Sequence, residues 1–341
     1  MRRRLVARLA GLVVLALVAP AQGQGPGFYE GKTIRVIVGL AAGGGFDTYA
    51  RLMGRHLGKH IPGKPAIIVE NMPGAGGLIA GNHLYKVARP DGLTMAHFNG
   101  SMMMGQVLGQ PGIEFDARKF EFLGALIKED VVCGFTRASG ITSIEKWMTS
   151  KTPVKLGGVS MGSPVDNSAK ILRTALGLPV QVVSGYKGTA EIRLAADAGE
   201  LAGACWAWES MRATWRSGLE SGQVVVVLQL AAKAFPELAG VPLAMSLAKT
   251  DEARQLIQMA HHASAYARPF YLPPGVPKDR VRILRTAFEE MQKDKAFLAE
   301  ADKMKLTIEP VTGDDLTRMV HDLFTLDPTI LARLKDVLYK P

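Results

Sequence analysis

Two glycine-rich stretches, each following a short apolar run, constrain this chain more than any other feature. The first is VIVGLAAGGGFD at residues 36–47, and the second is IIVENMPGAGG at 67–77. In each, a β-branched run of the kind that fills a buried parallel strand leads into bare backbone and then into a helical pattern. The amides at such a helix start are unpaired and no Cβ blocks approach, so the loop is built to receive an anion. Loops that follow adjacent strands of one sheet open on the same edge, which is where open α/β sheets bind ligands. The pair predicts a binding site without yet predicting a reaction.

The remaining pattern extends this unit. Residues 32–100 read as βαβαβ, with strands near 34–38, 66–70 and 93–98 and helices near 48–59 and 78–88. The alternation predicts a parallel sheet with helices on both faces. Asn99-Gly100-Ser101 makes a third loop on the ligand edge, and Ser101 is a candidate ligand residue. A second α/β unit starts near residue 129, with strands near 131–136, 155–158, 180–184, 203–206 and 224–230. Past Pro236 an extended segment at 265–271 and terminal helices predict a return to the first unit. The expected fold class is α/β: two α/β domains with a ligand cleft between them. Its domains are 28–127 plus 262–341, discontinuous, and 128–261. Two crossings favour hinged closure over the cleft.

The first residues read as an export signal, residues 1–21. Arg2, Arg3, Arg4 and Arg8 form a basic start, residues 9–18 are an apolar run of ten, and Ala19-Pro20-Ala21 is a small-x-small cleavage box. Ten apolar residues are half the roughly 20 that a membrane helix needs. The reading places the mature chain in the periplasm. The formal charge is +10; setting aside the four leader arginines from 41 leaves 37 basic against 31 acidic side chains, or +6. That excess is spread along the chain without a basic block, so nucleic acid is not an expected partner. Cys133 and Cys205 leave two readings open in an oxidising compartment, a disulfide or two buried thiols in neighbouring strands.

Several motifs point toward chemistry and fall short. Gly158-Val159-Ser160-Met161-Gly162 matches a nucleophile elbow, the basis of an alternative reading as a secreted serine hydrolase using Ser160. An elbow needs its helix immediately after the serine, whereas Ser163-Pro164-Val165-Asp166 reads as the helix start, with Ser163 capping and Pro164 in the first turn. Ser160 then sits in a glycine loop where its hydroxyl and neighbouring amides face an anion. Neither glycine loop fits a dinucleotide fingerprint or a P-loop, so no cofactor is implied. His56 and His60 are four apart on a helix but have no carboxylate nearby in sequence, which reads as a solvated face rather than a metal site. Met102, Met103 and Met104 read as adaptable core. Ser184-Gly185-Tyr186-Lys187-Gly188-Thr189 offers hydroxyls, amides and a cation at the edge that carries Ser160. Trp206 and Trp208 alternate on a strand and point one way, as a ligand-facing wall or as core. Asp47 has two roles open, bracing its own helix and loop or holding an amine or water. No coherent catalytic set emerges, and an enzyme is not expected.

Together these stretches resemble the extracytoplasmic solute-binding proteins of tripartite tricarboxylate transporters, the Bug or TctC-like family. The family's first loop corresponds to residues 38–47 followed by Ala50-Arg51, and its E-N-x-P-G-A-G-G loop to residues 70–77. The A-x-P-D-G-x-T turn is residues 88–94, and the second-domain loops are 159–164 and 186–189. The resemblance implies a fold that is α/β, periplasmic binding protein type II-like, whose two domains close on a small carboxylate held through waters and loop amides rather than by an arginine. It implies delivery to a two-subunit membrane permease; a ligand-binding partner of a sensor is the other role open. Gly44, Gly45, Asp47, Ala75 and Gly76 would form one side of the site, and Ser160, Gly162 and Lys187 the other. Ala42, Ser101 and Trp206 complete the candidate set, and a monomer is the default. Gly39 replaces the usual proline, one extra residue precedes Tyr186, and the Trp206–Glu209 region and the last forty residues also depart from the pattern.

Overall fold

A computed structural model describes residues 26–339; the predicted export signal and its cleavage point after Ala21 lie outside them. The chain builds two sheets. In the first, β1 (Thr33–Val38), β2 (Ala66–Asn71) and β3 (Thr94–His97) run parallel, connected by α1 (Gly45–Leu57) and α2 (Leu78–Lys86). Val36, Ile37 and Val38 are completely buried, so the end of β1 that feeds the first glycine loop is covered on both faces. After α3 (Ser101–Val107) and β4 (Glu121–Ala125) the chain leaves this sheet.

The second sheet collects β5 (Val131–Thr136), β6 (Val154–Gly157), β7 (Val180–Val183), β8 (Gly203–Ala207) and β9 (Val224–Leu230) in the order β7-β6-β8-β5-β9. Its helices are α4 (Ile144–Met148), α5 (Pro164–Leu176), α6 (Thr189–Asp197), α7 (Trp208–Thr214), α8 (Arg216–Glu220), α9 (Ala244–Leu247) and α10 (Asp251–Ser264). The chain then returns through β10 (Pro269–Leu272), α11 (Lys278–Lys293), α12 (Lys295–Lys303), β11 (Val311–Thr312), α13 (Gly313–Leu323) and α14 (Pro328–Tyr339).

Neither sheet is purely parallel. The first has the order β11-β4-β10-β3-β1-β2, with β10 antiparallel to both β3 and β4. The reason is geometric. The chain exits at the C-terminal end of β4 and comes back at the same edge, so the returning strand can only run the opposite way. In the second sheet β5 is likewise antiparallel to β8 and β9. The two crossings, after β4 and before β10, lie side by side, and the Glu129 amide donates to the Ser264 carbonyl at 3.0 Å.

Three expectations change in tertiary context. Trp208 is not on a strand: β8 ends at Ala207 and Trp208 opens α7, where its indole N–H reaches Glu237 at 2.9 Å. His56 and His60 do not face solvent alone. His56 is buried and lies 2.6 Å from Glu300 of α12, and His60 lies 3.1 Å from Asp294 at the start of that helix. These carboxylates are more than two hundred residues away in sequence, so no local spacing reveals them. The last helix, expected with the first domain, packs on the second unit: Leu334, Val337 and Leu338 meet Ile171 of α5 and Leu256 of α10. Met102 and Met103 are fully buried core, as read.

Cys133 and Cys205 are partners in the β5–β8 register and are disulfide-bonded. The bond closes a separation of 72 residues. On chain-entropy grounds, the double replacement Cys133→Ala/Cys205→Ala is expected to lower the unfolding free energy by up to about 4 kcal/mol. Urea denaturation of the two proteins under non-reducing conditions measures the difference.

Candidate functional site

Two glycine loops, residues 39–44 in the first unit and 158–162 in the second, each wrap around an aspartate in the first turn of the helix that follows. In the first loop α1 starts at Gly45, earlier than its sequence pattern predicts, and Asp47 folds back beneath the turn. Its carboxylate accepts from the Gly43 amide at 2.9 Å, from Arg51 Nε at 3.0 Å and from Asn71 Nδ2 at 2.9 Å. Burial alone raises the pKa of this carboxyl, but the hydrogen bonds from Arg51, Gly43 and Asn71 outweigh it and hold it below its ordinary value. In the second loop Asp166 accepts from the Val159 amide at 2.7 Å, the Ser160 amide at 3.2 Å and the Ser163 hydroxyl at 2.6 Å. Here burial dominates and the carboxyl is raised, with Ser163, Ser184 and the two amides opposing. The amides expected to face a ligand at Gly43, Val159 and Ser160 are therefore bonded inside their own loops.

The loops of the two units meet face to face. Ala41 N donates to the Lys187 carbonyl at 3.0 Å, and Gln110 Nε2 to the Met161 carbonyl at 3.2 Å. A Cβ on Gly76 would lie 2.1 Å from Ser160 Oγ, and Gly76 sits at a φ of +66°, so a side chain here is strained and must displace Ser160 or part the loops. Between them remains a void of about 20 Å³, room for little more than a water molecule. Gly44 and Gly45 at the start of α1, Gly188 and Thr189 at the start of α6, and Trp206 and Ser210 line it. Glu129 and Arg268 close its base, one from each crossing between the sheets. Arg268 Nη2 lies 3.4 Å from Glu129 Oε1 and Nε lies 3.3 Å from Oε2, with both side chains buried. Its guanidinium also sits 4.8 Å from the Phe46 ring centroid. Burial works against this charge, but Glu129 beside it keeps the guanidinium pKa above its ordinary value. Close by, Glu209 is buried with fewer compensations, and desolvation pushes its carboxyl up to about 7.

No family model matches the chain. It is 40% identical to a UPF0065 protein from Cupriavidus necator over 99 residues, 28% of this chain and 29% of that one. Matches to such curated relatives span 29% to 53% of the relatives' own length. Two solved structures align over nearly everything. BugD, a periplasmic binding protein, gives a TM-score of 0.72 at 18% identity, covering 91% of this chain and 98% of its own. MatC of Rhodopseudomonas palustris, solved with bound malate, gives 0.71 at 20% identity, covering 90% and 99%. The chain has the Bug and TctC-like fold.

Within this Bug-like architecture the predicted site residues separate into groups. Gly44, Gly45 and Trp206 line the inter-lobe void. Gly76 and Ser160 form the contact across the lobes, Gly162 packs against Gln110, and Lys187 reaches the first lobe through its carbonyl while its ammonium is exposed. Ala42 and Ala75 are exposed at the rim, and Asp47 lies under its loop. Ser101 lines a different cavity of about 810 Å³, mostly apolar, on the far side of Glu129 among α5, α10 and α14. Ser160 Oγ is buried with no hydrogen-bond partner among the described residues, so no histidine there activates it. Thr189 belongs to the hydroxyl-bearing stretch read from the sequence, whereas Glu129, Arg268 and Ser210 have no motif that marks them. Their only sequence signal is position: Glu129 and Arg268 sit at the two junctions where the chain changes sheet.

Two measurements follow from this geometry. Gly76→Ala is expected to hold the lobes apart, raising the solution radius of gyration in X-ray scattering, and Ser160→Ala added to it is expected to restore much of the compact value. Glu209 keeps its proton in the folded chain up to about pH 7, whereas the unfolded chain releases it near 4.5. Between those values the folded state binds more protons, so stability falls as pH rises and levels off above 7. Relative to Glu209→Gln, the parent chain is expected to lose about 3 kcal/mol across that window, read from urea midpoints at stepped pH.

Proposed function

We propose that the chain is an exported receptor that captures a small carboxylate between two lobes and delivers it to a two-subunit membrane permease of the tripartite tricarboxylate type. The carrying observation is the buried void where the starts of α1 and α6 meet beside the cation of Arg268. Helix starts and a guanidinium both favour an anion. The malate held by MatC, a protein with the same fold, supports the class of ligand. The lobes are residues 28–127 with 262–341 and residues 128–261, with α14 of the first lobe packing on the second. Residues 1–21 direct export to the periplasm and are removed there, and the mature receptor works as a monomer. Among the described residues no helix is long and apolar enough to cross a membrane. Binding involves no chemistry: the ligand leaves as it entered.

Native mass spectrometry of protein taken from the periplasm, followed by calorimetric titration of a carboxylate panel, tests this reading. One carboxylate bound per chain and recovered unchanged is the expected outcome. Turnover of the bound acid, or binding by none of the panel, would overturn it.

A further inference from the structure

The chain leaves one face of Arg268 unanswered. Glu129 engages the Nε and Nη2 side, although neither Nε nor Glu129 Oε2 achieves hydrogen-bond geometry. Nη1 has no hydrogen-bond partner among the described residues, and the side chain is only 3% exposed. A Cβ placed on Gly45 would lie 2.8 Å from Nη1 and 2.5 Å from Ser210 Oγ, so this nitrogen abuts the first residue of α1. A helix N-terminus carries the equivalent of about +0.5 charge. A guanidinium directed at it without an intervening anion is a juxtaposition of like charges. On the other wall of the same void, Trp206 Nε1 is also buried without a partner. Unpaired buried donors cost free energy, and two side chains that line this one void carry them.

We infer that Arg268 receives the ligand's carboxylate directly, with Trp206 Nε1 as a second donor from the opposite lobe, and that the receptor selects monocarboxylates. This rests on the carboxylate-receptor reading and sharpens it. The charge count sets the valence. Arg268 and Glu129 neutralise one another, Asp47 is paired with Arg51, and Glu209 stays protonated below about pH 7, so the starts of α1 and α6 together offer about one further positive charge. One carboxylate balances that charge. The lobes are closed here to a void of about 20 Å³, so a ligand enters with the loops parted, and a second carboxylate buried there would meet no cation among the lining residues besides Arg268. Glu129 acts as a positioning residue, holding the guanidinium at the junction of the two crossings. The amides engaged by Asp47 and Asp166 explain why an arginine is needed in a fold whose relatives are expected to rely on loop amides.

Calorimetric titration with two matched sets, butanoate, succinate and butanamide, and benzoate, phthalate and benzamide, tests the inference. The parent protein is expected to bind at least one monocarboxylate at least tenfold more tightly than its dicarboxylate and to bind the amide at least a hundredfold more weakly. In Arg268→Gln/Glu129→Gln, which removes both buried charges together, the acid-over-amide ratio is expected to fall to near one. Arg268→Lys, which keeps a charge but loses the planar fork, is expected to retain an acid preference with weaker binding. Thermal melting of each variant establishes that it is folded. If the parent binds a monocarboxylate and the double variant keeps its acid-over-amide ratio, this inference fails while the receptor reading stands. A parent preference for the dicarboxylates likewise overturns it. If the parent binds no carboxylate of either set, both fail.

Discussion

The ion pair between Glu129 and Arg268 is the contact on which the arrangement of this molecule turns. The two residues lie on the two segments that pass between the sheets, so their attraction ties both crossings together at the base of the cleft. Both are buried, and in a low-dielectric site the loss of either partner strands the other as an uncompensated charge, typically costing about 3–5 kcal/mol. Such a pair is weak evidence for stability as such, because desolvation consumes much of the Coulombic gain. Its value here is positional: it places a cation at the meeting point of α1, α6 and β8, with the Phe46 ring against its face.

Around that point the glycine loops that precede α1 and α5 follow one design. An aspartate in the first helical turn draws loop amides inward, Gly43 to Asp47 and Val159 with Ser160 to Asp166. This makes each loop rigid, and it removes those amides from ligand recognition. Glycine at position 76 then serves a different purpose from the one its anion-receiving appearance implies. It lets the loop come so close to Ser160 that a side chain there would have to displace the serine hydroxyl or the loop. The loops before α1 and α5 are braced by their own aspartates, the Gly76 loop closes against the second of them, and the polar chemistry of the void comes from helix starts and from the crossings.

Burial sorts the other ionisable groups by the company they keep. Asp47, with three donors around it, is held below its ordinary pKa, while Glu209, with little direct hydrogen bonding, is raised to about 7. His56 and His60 gain carboxylates from α12 that lock α1 to the returning C-terminal segment. These contacts convert a histidine pair of metal-like spacing into a pair of inter-helix ties.

Strand and helix alternation, the caps at Ser163 and Pro164, the buried methionines and the glycine loops were all legible from the sequence. Each depends on residues within one or two turns or strand lengths of each other, and local periodicity and capping chemistry report on that range. The resemblance to Bug and TctC-like proteins was legible for the same reason, being carried by short contiguous loops. The tertiary structure alone decided the antiparallel return of β10, the docking of α14 on α5, the removal of Trp208 from its strand, and the partners of His56 and His60. It alone brought Glu129 to Arg268, two charges separated by 139 residues that no spacing rule connects. A buried charge is identified by what surrounds it, and those surroundings exist only after the chain has crossed between its sheets twice.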